Sequence, residues 1–160
     1  MINRLMPDQI SKFWPIIKYA VEQSLPPVVG EHPDKMNRIL SSALCGEIDV
    51  WVSYNKGENN KIEGIILTEF LFDMPSGTKN MLIYCLYGYE EVSDESWVYG
   101  ISGLARYAES RQCSRIVTYT DVPYMINLAK QLGGEANYTF ITFEVNKIVN
   151  LLNDLDSNGG

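Results

Sequence analysis

Met81–Thr120 reads MLIYCLYGYE EVSDESWVYG ISGLARYAES RQCSRIVTYT, and the changes of period inside it decide the fold. Met81 to Tyr89 is apolar on both alternating faces, the composition of a strand covered by helices on both sides of a sheet. Trp97, Ile101, Leu104, Ala105 and Ala108 then recur at helical spacing and predict a helix over 94–111. Arg115 to Thr120 predicts a further short strand, so that strand, helix and strand form a parallel crossover. Gly100-Ile101-Ser102-Gly103 lies inside the helical pattern, which favours close helix packing over a phosphate-binding loop.

Upstream, Ile10, Phe13, Trp14, Ile17, Ala20 and Val21 predict a helix over 8–24 with Asp8 near its start, kinked or restarted at Pro15. Pro26, Pro27, Gly30 and Pro33 make a rigid connection. Asp34 is the expected N-cap of a second helix with Met36, Ile39, Leu40, Ala43 and Leu44 as its buried stripe and Gly46 as its stop. Val50, Trp51, Val52 and Tyr54 read as a strand, the polar run 55–60 as a turn, and 61–72 as the return strand of a hairpin. Pro75-Ser76-Gly77 turns the chain into the central strand. Downstream, a helix over 123–132 ends at Gly133-Gly134, and Tyr138 to Val145 alternates as a last strand with Ile141, Phe143 and Val145 on one face. A short helix over 148–155 and a flexible tail close the chain, so 1–146 is expected as one domain and 147–160 as an appendage.

At 160 residues and 46% hydrophobic composition, the chain suffices for one core. No apolar run approaches the roughly 20 residues of a membrane span, and no secretory signal opens the sequence, so a cytoplasmic protein is expected. Cys45, Cys85 and Cys113 are dispersed, which argues against a disulfide framework and a zinc site. A net charge of −7 argues against direct nucleic-acid binding. The lone His32, between Glu31 and Pro33, reads as an exposed loop residue; no metal is expected. Ten tyrosines and three tryptophans point to protein contacts, with Tyr19, Tyr54, Tyr89, Tyr99 and Tyr107 as candidates for the surface.

The succession of two N-terminal helices, a hairpin, a central strand, a long helix, a parallel strand, a helix and a closing strand resembles the GNAT acetyltransferase superfamily over roughly residues 1–145. This implies a mixed α/β sheet with helices on both faces and an N-terminal helix pair. Met1–Leu5, Phe13–Pro15, Gly46–Val52 and Ala108–Ile116 resemble, more narrowly, small GNAT-like proteins of tailed phages, often encoded near virion structural genes.

In the superfamily the central strand runs into an Arg/Gln-x-x-Gly-x-Gly/Ala loop whose N–H groups cradle the CoA diphosphate. The matching region here, Leu86, Tyr87, Gly88, Glu90 and Glu91 followed by Asp94 and Glu95, has no basic residue and no paired glycines. Two like charges about 4 Å apart repel by about 4 kcal/mol at an effective dielectric near 20, so these acids oppose an anionic cofactor. Their other role is favourable charge at a helix start. The family's proton-donating tyrosine, four residues before a Gly-Phe pair, falls on Ala129 if Gly133 is that glycine, and the phenylalanine falls on Gly134. No catalytic residue therefore stands out; the candidates are Glu63 and Glu69 on the hairpin strand as bases for an amine, and Tyr124 as a displaced acid.

The expectation is a module with a degenerate acetyl-CoA site and no cofactor, binding a protein partner such as a phage structural protein in the host cytoplasm or the virion. One alternative is an acyl-CoA-dependent N-acetyltransferase with acetyl-CoA held by backbone groups near Leu86 to Gly88. Another is an acidic inhibitor that mimics nucleic acid.

Overall fold

A computed structural model describes residues 1–55, 57, 61–89 and 91–160. Most of the polar turn over 55–60 and Glu90 lie outside the described residues. By internal contacts the chain divides into two units, Met1–Tyr119 and Thr120–Gly160.

The first unit is a three-layer α/β structure. Its elements are β1 (Ile2–Arg4), α1 (Pro7–Gln23), α2 (Lys35–Leu44), β2 (Ile48–Tyr54), β3 (Ile62–Asp73), β4 (Thr78–Gly88), α3 (Asp94–Ser110) and β5 (Arg115–Thr118). The strands form one sheet in the order β1-β2-β3-β4-β5, antiparallel except for the parallel β4–β5 pair. The predicted crossover is thus present, and β1 is a strand that hydrophobic period alone does not signal.

Alternation along the strands sorts side chains to two cores. Val50, Val52, Ile65, Leu67 and Cys85 pack with Ile10, Ile17, Ala20 and Val21 of α1 and Ile39 and Ala43 of α2. Trp51, Ile66, Met81 and Ile83 pack with Leu104 and Ala108 of α3 on the other face. Met81, Ile83 and Cys85 have the same parity, yet Cys85 joins the opposite core. The cause is an extra residue on β4: Leu67 pairs with Cys85 and Thr68 with Ile83, leaving Tyr84 without a partner. Such a bulge slips the register by one and exchanges the faces beyond it.

Two local expectations change in detail. Pro15 does not break α1, which runs through it. Ser11 and Pro15 are both exposed, so the carbonyl deprived of its i+4 donor faces solvent. Asp34 occupies the N-cap of α2 without a side-chain capping bond; its N–H instead donates to His32 Nδ1 at 3.1 Å. The helical Gly103 does serve close packing, since a Cβ there would meet Ile2 Cγ2 at 2.7 Å, whereas Gly100 faces open space.

In the second unit, α4 (Pro123–Gln131) ends near Gly133, whose φ of +86° closes the helix as predicted. The strand expected over 138–145 is absent: no ladder partner is found for it among the described residues, and Val145 begins α5 (Val145–Asn158). Alternation marks a two-sided segment but does not supply the neighbour that makes it a strand. Tyr138, Ile141 and Phe143 are consequently 95%, 70% and 72% exposed.

The α3-side core contains one buried polar pair, Trp51 Nε1–H donating to Thr68 Oγ1 at 2.9 Å. Thr68→Val keeps the shape and strands the indole N–H, so urea unfolding should show a loss of about 1–3 kcal/mol with an unchanged denaturant slope.

Candidate functional site

β4 and β5 pair only from Asn80–Arg115 to Ile83–Thr118, and beyond that point β4 continues to Gly88 without β5. Tyr89 N–H donates to the Glu63 carbonyl at 2.8 Å, so odd-numbered residues there direct their backbone polar groups toward β3. Those of Leu86 and Gly88 point, by alternation, to the side that β5 has left. On the α3-facing side, Gly64, Ile66, Leu86, Gly88, Trp97 and Gly100 line a crevice of about 20 Å³, room for about one water molecule. Gly64 is required there: a Cβ would stand 2.8 Å from the Tyr87 carbonyl oxygen.

The loop into α3 is built as a helix cap. Ser93 is the N-cap and its Oγ accepts the Ser96 N–H at 3.2 Å, while Asp94 and Glu95 fill the first turn. Ser93 was not singled out by the sequence reading, although a serine ahead of two acids is a helix-start signal. Glu91, Asp94 and Glu95 are exposed. Leu86, Tyr87 and Gly88 border the crevice, and Glu90 lies outside the described residues.

The two candidate bases do not converge. Ser53 pairs with Gly64 and Tyr54 with Ile62, so Glu63 is itself an extra residue, and its carboxylate accepts from Ser53 Oγ at 3.2 Å. Glu69 pairs with Ile48 and stands about 20 Å along the strand at about 3.3 Å per residue. Burial raises its carboxyl above the usual value. It neighbours Tyr84, whose hydroxyl is pushed up to about 12 by burial first, then by Cys85 and Glu69. Burial likewise takes the Cys85 thiol up to about 11, opposed by a hydrogen bond from Ser24, which leaves it a poor nucleophile at neutral pH. Tyr124 lies in the first turn of α4, in the second unit, and is half exposed.

At the end of β4, Tyr19, Tyr87 and Tyr89 form edge-to-face contacts with centroids 5.8 and 5.0 Å apart. Tyr89 Oη donates to the Ile16 carbonyl at 3.0 Å, tying α1 to the strand's exit. Tyr19 and Tyr99 are 50% and 62% exposed; Tyr54, Tyr89 and Tyr107 are partly buried. Among the described residues no three His, Cys, Asp or Glu side chains are grouped to hold a metal ion, and no helix is long and apolar enough to cross a membrane.

No protein-family model matches this sequence, and no curated protein sequence matches it significantly. Solved structures do match in shape. A probable acetyltransferase superposes with a TM-score of 0.66 at 13% identity, covering 91% of this chain and 96% of that one. A predicted acetyltransferase from Clostridium acetobutylicum, solved with acetyl-CoA, gives 0.64 at 15% identity over 92% and 98% of the two chains. AAC(6')-Iy, solved with the bisubstrate analogue CoA-S-monomethyl-acetylneamine, gives 0.64 at 13% identity over 90% and 96%. The fold is therefore that of the GNAT acetyltransferases.

A carboxyl raised by burial holds its proton in the folded state after the unfolded chain has released it. Its stabilising contribution is present below the ordinary 4.5 of the unfolded chain and is lost as pH rises through the folded value. Melting curves of Glu69→Gln and the wild type should agree near about pH 4 and separate in the variant's favour toward about pH 7. Parallel curves across that range would remove Glu69 as a desolvated base.

Proposed function

We propose that this chain is a GNAT-fold module that binds another protein and transfers no acyl group. The observation that carries this reading is the start of α3. The N–H that would greet a diphosphate is taken by Ser93 Oγ, the first turn carries Asp94 and Glu95, and Glu91 precedes them. A helix N-terminus presents about half a positive charge, which two carboxylates in its first turn more than offset. The narrow crevice between α3 and the sheet points the same way. A tailed-phage particle or its assembly pathway is the setting we propose, on the sequence likeness at Met1–Leu5, Phe13–Pro15, Gly46–Val52 and Ala108–Ile116.

A second reading has one observation in its favour: the parting of β5 from β4 leaves the Leu86 and Gly88 backbone groups directed away from β3. In that reading the protein is an acyl-CoA-dependent N-acetyltransferase. Pantetheine amides bond to those groups, and Glu69, its carboxyl raised by burial, takes a proton from the acceptor amine. The amine nitrogen then attacks the thioester carbonyl, the C–S bond breaks, and CoA thiolate leaves and takes up a proton from solvent.

Calorimetric titration with acetyl-CoA and with CoA separates the two. The module reading expects no heat and no shift in melting temperature at ligand up to about 1 mM. Binding in the micromolar range, with the stabilisation of about 2.7 kcal/mol that accompanies ligand at a hundred times Kd, would overturn it.

A further inference from the structure

We infer that the sheet end remote from Gly88 carries a docking surface for a short acidic segment of a partner protein, with apolar residues among its carboxylates. The inference rests on reading the chain as a protein-binding module and names the chemistry of what is bound. Phe70 pairs with Met81 and Phe72 with Lys79, so Phe70, Phe72 and Lys79 share the α3-side face. α3 ends at Ser110 with Arg111 as its C-cap, and Phe72 and Met74 are left 57% and 77% exposed.

Two cations are held at this edge by aromatic rings. Lys79 Nζ lies 5.1 Å from the Phe70 ring centroid, and Arg111 Cζ lies 5.7 Å from the centroids of both Phe70 and Tyr107. The ring faces attract them without neutralising their charge. Among the described residues neither forms an ion pair. Of the acids on neighbouring strands, Asp49 receives Tyr107 Oη–H and pairs with Arg4, and Asp73 accepts from Ser76 within its turn while keeping its charge. A chain of net charge −7 therefore presents a small positive patch beside two exposed apolar side chains.

That combination selects the occupant. Carboxylates complement Arg111 and Lys79, the latter as a point charge, and apolar side chains between them cover Phe72 and Met74. A long polyanion meets repulsion from the rest of the surface, which favours a short acidic peptide over nucleic acid.

The test is fluorescence anisotropy of the full chain with a labelled peptide of alternating Glu and Leu. A Gln-for-Glu version and a thymidine oligonucleotide of equal length serve as comparisons. The acidic peptide is expected to bind, and to weaken as salt rises from about 50 to about 300 mM. Lys79→Glu and Arg111→Glu should each reduce affinity about tenfold or more. Phe72→Ser, a change at an exposed position, should also reduce it, with melting curves confirming that each variant folds. The proposal is overturned by equal binding of the Gln peptide, by indifference to charge reversal, by tighter binding of the oligonucleotide, or by no peptide binding up to about 1 mM. Self-association through the patch, seen by sedimentation and abolished by Arg111→Glu, would overturn it in favour of a second copy. Acetyl-CoA binding sinks the module reading and leaves a positive peptide result standing. A silent peptide sinks the patch alone.

Discussion

β4 is paired on both edges and packed on both faces, and the extra residue at Tyr84 divides it into two halves with different tasks. From Asn80 to Ile83 it is bonded to β5, and Met81 and Ile83 meet Leu104 and Ala108 of α3. Beyond Tyr84 the side chains exchange faces: Cys85 enters the α1–α2 core and Leu86 packs toward α3. β5 follows only the first half. A slipped register and a parted neighbour strand occur at the same place because a bulge bends and twists its strand, which makes continued parallel pairing harder.

The α3-side layer is held by polar geometry as well as by apolar contact. Trp51 bonds to Thr68 within the core, and Tyr107 donates from α3 to Asp49 on β2 at 2.8 Å while accepting from Arg4 of β1 at 2.8 Å. Burial first, and then the Asp49 bond, hold the Tyr107 hydroxyl above its ordinary range, so it remains a donor throughout the physiological pH interval. Trp51 and Phe70 flank the same ring at 5.0 and 6.0 Å, and aromatic pairs of this kind add about 0.5–1.5 kcal/mol beyond area burial. One helix is thereby fixed to β1, β2 and β3 at once.

Much of this was legible in the sequence, for identifiable reasons. α1, α2 and α3 declare themselves by apolar residues at helical spacing, and Ile17, Ala43 and Leu104 are indeed buried. β4 declares itself by being apolar on both faces. The extra residues at Glu63 and Tyr84 leave no such mark, because Ile62-Glu63-Gly64 and Ile83-Tyr84-Cys85 read the same with or without a slip. The place of Glu63 as an extra residue on β3 is therefore seen only once the strands are paired. The strand expected over 138–145 failed for the complementary reason: its alternation is real, but alternation within a segment does not supply the neighbouring strand that a ladder needs. At the candidate site, the acids of the β4–α3 loop were legible by composition, whereas the Ser93 cap required the helix start to be fixed first.

That cap explains how an acetyltransferase fold and an acidic, capped start of α3 can coexist in one chain. The fold is specified by Met81, Ile83, Leu104, Ala108 and their partners, none of which lies in the loop from Tyr89 to Ser93. A diphosphate site asks that the first N–H groups of α3 remain unengaged and that the charge nearby be positive. A stable helix start asks the opposite: a serine oxygen on an early N–H and carboxylates in the first turn. Both demands fall on the same few atoms, so Ser93, Asp94 and Glu95 strengthen α3 by the very features that oppose an anion there. The apolar code for the sheet and helix is indifferent to which demand is met.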